Sequence, residues 1–285
     1  MGILQMSYLD ELVEMLRNGN IEMPQFEARM IAAGVLGINV DTFLFSAPPA
    51  TDAQIGRMKK MASERLQHRP LCKILGAKGF YKYDFVVNEH VLSPRPDTEV
   101  LVEAAIAEAE KSSARTILDL GTGSGCIILS IMGDVPMLKG WAVDASSQAM
   151  EVARINAGRL GLDSRMTFVN ASWFDENLPE LLGTKFDIVV SNPPYIPSAE
   201  IAELEPEVKN YDPRSALDGG ADGVEHYRRI ADLCPKILND GGMIFLEGGL
   251  HQENDIASIF TAKGFKLVKI IPDLAGINRC IFLKK

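Results

Sequence analysis

Residues 117–125 read Ile-Leu-Asp-Leu-Gly-Thr-Gly-Ser-Gly, and this stretch decides the fold. The apolar residues predict a buried strand over Thr116–Leu120, the glycines predict a tight turn, and residues 126–132 predict a helix. In a doubly wound sheet such a turn lies at the carboxyl edge, where ligands bind at the switch in strand order. Glycines suit this position because a ligand approaches the backbone there more closely than a Cβ atom permits.

A carboxylate at the end of the next predicted strand completes a nucleotide-type site. Asp144 follows Gly125 by nineteen residues and can accept hydrogen bonds from both ribose hydroxyls of an adenosine. The loop spaces its glycines GxGxG behind Asp119, whereas dinucleotide sites use GxGxxG with a pyrophosphate. This spacing favours S-adenosylmethionine, whose cationic ammonium group we place near Asp119. The predicted cofactor residues in this region are Asp119, Gly121, Thr122, Gly123, Ser124, Gly125 and Asp144.

Strands and helices alternate from residue 97 onward, which predicts a parallel sheet covered by helices on both faces. The first helix is predicted over residues 97–111. The further strands are predicted at 140–144, 166–169, 186–191, 243–247, 265–271 and 280–284. Because only about eight residues separate the last two strands, no crossover helix fits between them and they should pair antiparallel. Such a closing hairpin is typical of class I S-adenosylmethionine-dependent methyltransferases, a Rossmann-like α/β fold.

The amino-terminal part of the chain has a different pattern. Ser7, with Asp10 three residues later, predicts one helix start, Pro24 predicts a second, and a third helix is expected from Thr51 towards Arg69. Amphipathic spacing gives these helices apolar stripes that suit a small bundle. We predict a helical substrate-recognition domain over residues 1–74, a β-hairpin linker over 75–96 and a catalytic domain over 97–285.

Composition narrows the class of protein further. Hydrophobic residues make up 47% of the 285 residues, and no apolar stretch approaches the roughly 18 residues that a membrane helix needs. Acidic residues interrupt the apolar positions near the amino terminus, unlike a secretory signal, so we expect a cytoplasmic protein without membrane association. The net charge of −9 disfavours direct binding to nucleic acid, whose phosphates attract Lys and Arg.

The cysteines and histidines indicate no metal site. The four cysteines are far apart and form no CxxC pair, so neither a zinc site nor a disulfide framework is expected. We interpret the four scattered histidines, His68, His90, His226 and His251, as structural or solvated residues.

A second motif, Asn192-Pro193-Pro194-Tyr195, follows the predicted strand 186–191. Two prolines cannot continue a central strand, so they should form a rigid turn at the same edge as the glycine loop. An amide nitrogen that attacks a methyl group gains positive charge, and its hydrogens become stronger donors. The Asn192 side-chain oxygen and the Pro193 carbonyl can accept those hydrogens, while Tyr195 can stack on the planar group. The four residues are therefore the predicted catalytic set.

Three other functions remain open from the residues alone. An adenine-N(6) methyltransferase acting on DNA or RNA shares the planar amino target, but it would need a basic recognition region. A non-catalytic cofactor-binding scaffold would not need residues 192–195. An NAD-dependent oxidoreductase would fit the glycine loop less well than a methyltransferase does.

Several segments together resemble the release-factor glutamine methyltransferase family, PrmC/HemK. The resemblance covers nearly the whole chain and rests on residues 94–99, the glycine loop, residues 173–174, 192–197, 211–220 and 273–279. It implies methylation of the glutamine nitrogen in the Gly-Gly-Gln motif of class 1 peptide chain release factors. It also implies a cofactor role for Ser172, Trp173 and Asn192. The family usually has an acidic residue where this chain has Ser172.

Overall fold

The chain folds into two compact units. In a computed structural model, which describes residues 7–44 and 47–285, the units are Met1–Gly76 and Ala77–Lys285. The segment 75–96, predicted to be a hairpin linker, contributes its two strands to the second unit. Along the described residues, no helix is long and apolar enough to cross a membrane.

The first unit is a small helical bundle. Ser7 and Asp10 form a reciprocal capping box, which confirms the predicted start of the first helix. Such a cap typically contributes about 1 kcal/mol to helix stability. The predicted starts at Pro24 and after Thr51 are confirmed as well. The helices are α1 Tyr8–Asn18, α2 Pro24–Leu36, α3 Asp52–Arg65 and α4 Leu71–Leu75.

The prediction that the third helix continues to Arg69 was wrong, because α3 ends at Arg65. His68 adopts a left-handed backbone conformation with φ of +63°, which is incompatible with a right-handed α-helix. A proline at position 70 also disfavours helical geometry in the residue before it. The bundle core includes the fully buried Leu12, Leu16 and Met58.

The second unit begins with the hairpin and continues as a seven-stranded sheet. The antiparallel hairpin strands are β1 Ala77–Phe80 and β2 Tyr83–Val86. The sheet has the order β5-β4-β3-β6-β7-β9-β8, and its strands are β3 Thr116–Leu120, β4 Lys139–Asp144, β5 Met166–Asn170, β6 Phe186–Ser191, β7 Leu238–Glu247, β8 Lys266–Pro272 and β9 Asn278–Lys284. Strands β3 to β7 are parallel, and β9 is antiparallel to both β7 and β8. The predicted closing hairpin is thus confirmed.

Helices cover both faces of this sheet. They are α5 Glu99–Glu110, α6 Cys126–Asp134, α7 Ser147–Arg159, α8 Leu178–Leu182, α9 Pro206–Tyr211, α10 Glu225–Ile237 and α11 Glu253–Thr261. Successive strand residues alternate between two buried clusters, so Ile117 belongs to one and Leu118 to the other. A parallel sheet buried on both faces is the arrangement predicted for the class I methyltransferase fold.

Two predicted boundaries need correction. The helix expected from residue 97 begins at Glu99, after one 3-10 turn over Pro96–Thr98. Strand β7 begins at Leu238, five residues before the predicted start at Met243, because Leu238 pairs with Phe186 across an irregularity in register.

The strand order determines where a ligand can bind. The chain passes from β3 to β4 on one side, and β6 then lies on the other side of β3. The carboxyl ends of β3, β4 and β6 therefore meet at the switch in strand order, where open α/β sheets bind ligands.

Candidate active site

The second unit has a cavity at this switch point. It is lined by both predicted motifs and by residues from several loops. The predicted site residues that line it are Gly121, Thr122, Gly123, Ser124, Asp144, Ser172, Trp173, Asn192 and Pro194. Of the other predicted residues, Asp119 is buried near the end of β3, and Gly125 is the N-cap residue that precedes α6. Pro193 and Tyr195 are adjacent in sequence to lining residues.

The glycine loop folds back against strand β4. The backbone amides of Gly121 and Thr122 both donate to the carbonyl of Val143, over 2.9 and 3.0 Å. Gly121 has φ of +78°, and a Cβ atom there would come within 3.0 Å of the Trp173 ring. This position therefore requires glycine both for its backbone conformation and for the close approach of the indole.

Asp144 ends β4 and is fixed by two backbone amides. Its Oδ2 accepts from the Gly123 amide and its Oδ1 from the Ser146 amide, each at 2.9 Å. Burial raises the pKa of Asp144, and these two hydrogen bonds oppose the shift. Each carboxylate oxygen keeps a second lone pair for a ligand hydroxyl.

Asp119 is a fully buried carboxyl beneath the same loop. Burial raises its pKa to about 7, and a hydrogen bond from Thr122 lowers it. The Thr122 hydroxyl donates to Oδ2 over 2.8 Å, whereas Oδ1 has no hydrogen-bond partner within residues 7–44 and 47–285. A buried carboxylate with one free oxygen is strongly stabilised by a cation. These acceptor oxygens thus fit a ligand with an ammonium group beside the loop and hydroxyls beside Asp144.

Trp173 is held in place by a histidine that the sequence analysis missed. The indole Nε1 donates to Nδ1 of His226 over 3.1 Å, and His226 Nε2 lies 3.0 Å from the carbonyl of Asp218. His226 also lines the cavity and packs edge-on against both Trp173 and Phe174. The contacts of His226 fit a structural role in the wall of the cavity, which is one of the two interpretations made from the sequence. No signal in one sequence pairs two residues 53 positions apart.

Ser172 stands at the mouth of the same region. Its amide donates to Asp175 over 2.8 Å, and its hydroxyl accepts from the Phe174 amide over 3.1 Å. The acidic side chain near this position is thus Asp175, three residues after Ser172.

The tetrapeptide of residues 192–195, predicted to be catalytic, follows the end of β6 directly. Asn192 lines the cavity, and its Nδ2 donates to the Thr98 hydroxyl over 3.4 Å. Gln252 donates to the backbone carbonyl of Tyr195 over 2.9 Å. Burial raises the pKa of Tyr195 to about 12, so its phenol is neutral at physiological pH. Its side chain is partly buried against the core beneath α10.

Residues 217–220 pack against the turn of residues 192–195 and form backbone hydrogen bonds with Ile196, the next residue. The Ile196 amide donates to the Leu217 carbonyl over 3.0 Å, and the Gly219 amide donates to the Ile196 carbonyl over 2.8 Å. A Cβ atom on Gly219 would lie 2.8 Å from the Tyr195 backbone. Because position 219 has no room for a side chain, glycine there allows residues 217–220 to pack directly against the tetrapeptide.

Two further acidic residues, Asp212 and Glu99, accept hydrogen bonds from other segments of the second unit. Arg95 Nη2 lies 3.2 Å from Oδ2 of the buried Asp212, and the Ser93 amide donates to Oδ1 over 3.4 Å. Glu99 accepts from the Tyr81 amide over 2.9 Å. Arg95 thus orders a cavity-lining loop, and Glu99 anchors the hairpin turn.

Comparisons with known proteins agree with this geometry. The family model described as "PrmC N-terminal domain" matches residues 7–76, and the one described as "Methyltransferase small domain" matches residues 96–204. The release factor glutamine methyltransferase of Rhodospirillum rubrum is 39% identical over 97% of this chain and 84% of its own length. The enzyme of the same name from Agrobacterium fabrum is 37% identical over 95% of this chain and 93% of its own length.

A solved structure supports the fold. An O-methyltransferase family protein from Burkholderia thailandensis superposes with a TM-score of 0.50 and 14% identity, over 99% of this chain and 98% of its own.

Proposed function

The chain belongs to the release factor glutamine methyltransferase family, and from that premise we propose which reaction it performs. It transfers a methyl group from S-adenosylmethionine to the side-chain nitrogen of the glutamine in the Gly-Gly-Gln motif of class 1 peptide chain release factors. The reaction takes place in the cytoplasm and involves neither nucleic acid nor a membrane.

One observation carries the proposal. Asn192, at the carboxyl end of β6, lines the same cavity as the glycine loop at the end of β3. A planar nitrogen held at Asn192 therefore lies within reach of a ligand that rests on the loop. A ligand site without transfer chemistry would not need the rigid turn of residues 192–195.

The cofactor residues are assigned by the hydrogen-bond acceptors and the apolar surface that they offer to a ligand. Asp119 Oδ1 suits the ammonium group of the methionine part, Asp144 suits the ribose hydroxyls, and Trp173 supplies an apolar wall. When bound, S-adenosylmethionine supplies an electrophilic methyl group on a sulfonium.

The residues after β6 prepare the glutamine nitrogen. We assign the Asn192 Oδ1 and the Pro193 carbonyl to accept hydrogen bonds from the two amide N–H groups, so that charge developing on nitrogen is stabilised as it forms. The methyl–sulfur bond breaks as the methyl–nitrogen bond forms, which leaves a neutral thioether, and the methylated nitrogen then releases one proton to water. Tyr195 stacks on the planar amide and aligns it. The partly buried phenol stays neutral, so it does not compete as a nucleophile.

The helical unit matched at residues 7–76 is assigned to recognise the release factor outside the glutamine loop. A single amide side chain offers far less area than the roughly 800 Å² per partner of a specific complex. A short peptide containing Gly-Gly-Gln should therefore be methylated with a much higher KM than the intact release factor. Equal KM values for peptide and protein would contradict this assignment.

The proposed reaction is tested by mapping the product. The chain is incubated with S-adenosylmethionine and a class 1 release factor, and peptides are analysed by mass spectrometry. We expect one added methyl group on the Gly-Gly-Gln glutamine. A release factor with that glutamine replaced by leucine should stay unmodified, and an adenine-containing oligonucleotide is the second control. Methylation of the oligonucleotide alone would replace the proposal with the adenine-N(6) alternative.

A further inference from the structure

Glu247 is a buried carboxyl beside the catalytic turn to which the proposed reaction assigns no role. It ends β7 and is only 2% exposed. Because Ser191 pairs with Leu246 in the parallel β6–β7 register, the next residues on the two strands are Asn192 and Glu247. They leave neighbouring strands side by side at the carboxyl edge of the sheet.

A short chain of polar groups connects the two side chains. Asn192 Nδ2 donates to the Thr98 hydroxyl, which is buried at 3% exposure. The Thr98 and Asn192 side chains both lower the pKa of Glu247, so they lie close enough to its carboxyl to favour the ionised form. An ionised carboxyl can only accept hydrogen bonds, so Glu247 is the acceptor end of this chain. Its Oε2 has no partner among the residues that the structure describes.

The direction of this chain determines which end of the Asn192 amide faces the cavity. With Nδ2 turned toward Thr98 and Glu247, Oδ1 is left to accept from a substrate. The reversed amide would bring Oδ1 against the carboxylate and would present NH₂ to the NH₂ group of a glutamine. Both contacts in the reversed orientation are unfavourable while Glu247 is ionised.

We propose that Glu247 is a positioning residue that fixes the Asn192 side-chain amide with Oδ1 toward the substrate nitrogen. The inference rests on the proposed function for its role in catalysis. The orientation itself is a property of the unliganded chain, so it can be tested separately.

The charged and titratable groups around Glu247 determine how pH affects its ionisation, and with it the orientation of the Asn192 amide. Burial raises the pKa of Glu247 to about 7, and the hydrogen bonding from Thr98, the Arg279 charge and the Asn192 contact lower it. The charge of Asp97 opposes ionisation. The remaining titratable neighbours are Tyr195, Tyr227, Cys126 and Cys280, whose pKa values are all raised by burial, so these groups stay neutral at pH 7. Among these groups Glu247 is the one that changes charge near neutrality, and Asp119 beneath the glycine loop is a second buried carboxyl with a pKa of about 7.

Protonation of Glu247 reverses which orientation of the Asn192 amide the carboxyl stabilises. A protonated Glu247 has a hydroxyl that can donate to Asn192 Oδ1, which stabilises the inactive orientation of the amide. Activity that depends on this orientation should therefore fall as the pH drops below the pKa of Glu247.

The first test is the pH profile of kcat at saturating cofactor and release factor. In the wild type we expect kcat to fall about tenfold per pH unit below the pKa of Glu247. This acidic limb of the profile, over which kcat falls, lies at or below pH 7, because the positively charged cofactor favours the ionised form of Glu247. Glu247→Gln should lower the plateau about tenfold to hundredfold and remove the limb, while the KM for S-adenosylmethionine changes less than about twofold.

Asp97→Asn is the matched control. Asp97 is another carboxyl near Arg279, at 3.4 Å, but its side chain is 49% exposed. This variant should retain the limb and shift it to slightly lower pH, because a charge that opposes ionisation of Glu247 has been removed. A limb that persists in Glu247→Gln, or a wild-type kcat in that variant, would overturn the inference.

The second test needs neither cofactor nor release factor. In protein labelled with ¹⁵N-asparagine, the side-chain NH₂ signal of Asn192 is identified by its absence in Asn192→Ala. We expect this signal to titrate with a midpoint near pH 7 in the wild type and not in Glu247→Gln. A wild-type signal that does not move between pH 5 and pH 9 would refute the coupling.

The two tests separate the inference from the proposed function. If the wild-type chain methylates no release factor, the proposed function fails, while the signal of Asn192 still decides the coupling to Glu247. If methylation occurs but neither the limb nor the titration is found, only the positioning role fails.

Discussion

The indole Nε1 of Trp173 donates a 3.1 Å hydrogen bond to Nδ1 of His226, and this bond fixes the ring that covers the glycine loop. It requires Nδ1 to be unprotonated, since His226 Nε2 lies within 3.0 Å of a carbonyl and takes the proton. His226 therefore orients Trp173, a proposed cofactor residue, without belonging to either sequence motif.

Replacement of His226 should weaken cofactor binding. His226→Phe keeps an aromatic edge beside Trp173 but removes the hydrogen bond, which typically contributes about 1 kcal/mol. We expect the Kd for S-adenosylmethionine to rise about fivefold in calorimetry, and to rise further in His226→Ala. Unchanged affinity in both variants would show that the indole needs no such support.

The glycine loop offers a matched pair of substitutions. Gly121→Ala combines a φ of +78° with a Cβ atom 3.0 Å from Trp173, whereas Gly123→Ala has a φ of +54° and open space. Both should lose about 1–2 kcal/mol of unfolding free energy through backbone strain. Gly123 also lines the cavity, so both variants should weaken cofactor binding, but only Gly121→Ala should also displace the indole and weaken it by more than about tenfold. Equal Kd values for the two variants would exclude a role for the contact with Trp173.

Asp119 makes stability and cofactor affinity respond to pH in opposite directions. Its pKa is about 7 in the folded protein, compared with the ordinary value of 3.8 expected in an unfolded chain, so the folded protein holds a proton that the unfolded chain releases. The free energy of unfolding should therefore decline as the pH rises from about 4 to about 7, by ~4 kcal/mol for this group. Asp119→Asn should flatten that decline, which denaturant titrations at pH 5 and pH 8 would measure.

Cofactor binding should follow the ionised form of Asp119. The affinity of the wild type for S-adenosylmethionine should increase as the pH rises through about 7, because the carboxylate then pairs with the ammonium group. In Asp119→Asn the affinity should be lower and nearly independent of pH over this range. A pH-dependent increase that survives in the variant would move the ammonium site away from Asp119.

The strands and the two motifs could be predicted because their signals are local. An apolar run followed by glycines or prolines indicates both a strand and the edge at which it ends. This local pattern placed Gly121 and Asn192 at one edge of the sheet before the strand order was known. The parallel pairing of β3 with β6 then brings them to one cavity.

The supporting residues could not be predicted because they depend on strand neighbours and not on spacing. Glu247 acts on Asn192 only because β7 lies next to β6, and Thr98 reaches both residues from a different segment. A single sequence carries no signal for these pairings. The early start of β7 was missed for a related reason, since residues 239–242 are polar or glycine and Leu238 is paired by its neighbour Phe186.

The central claim is that Asn192 clamps a glutamine amide that receives the methyl group. The most direct test measures transfer to a release factor by wild type and by Asn192→Ala, with the Kd for S-adenosylmethionine determined in parallel. We expect kcat to fall about 10²–10³-fold in the variant, as for the loss of one preorganised polar contact to a transition state, while the Kd rises far less than kcat falls, although Asn192 also borders the cofactor. Transfer by Asn192→Ala at the wild-type rate would contradict the account.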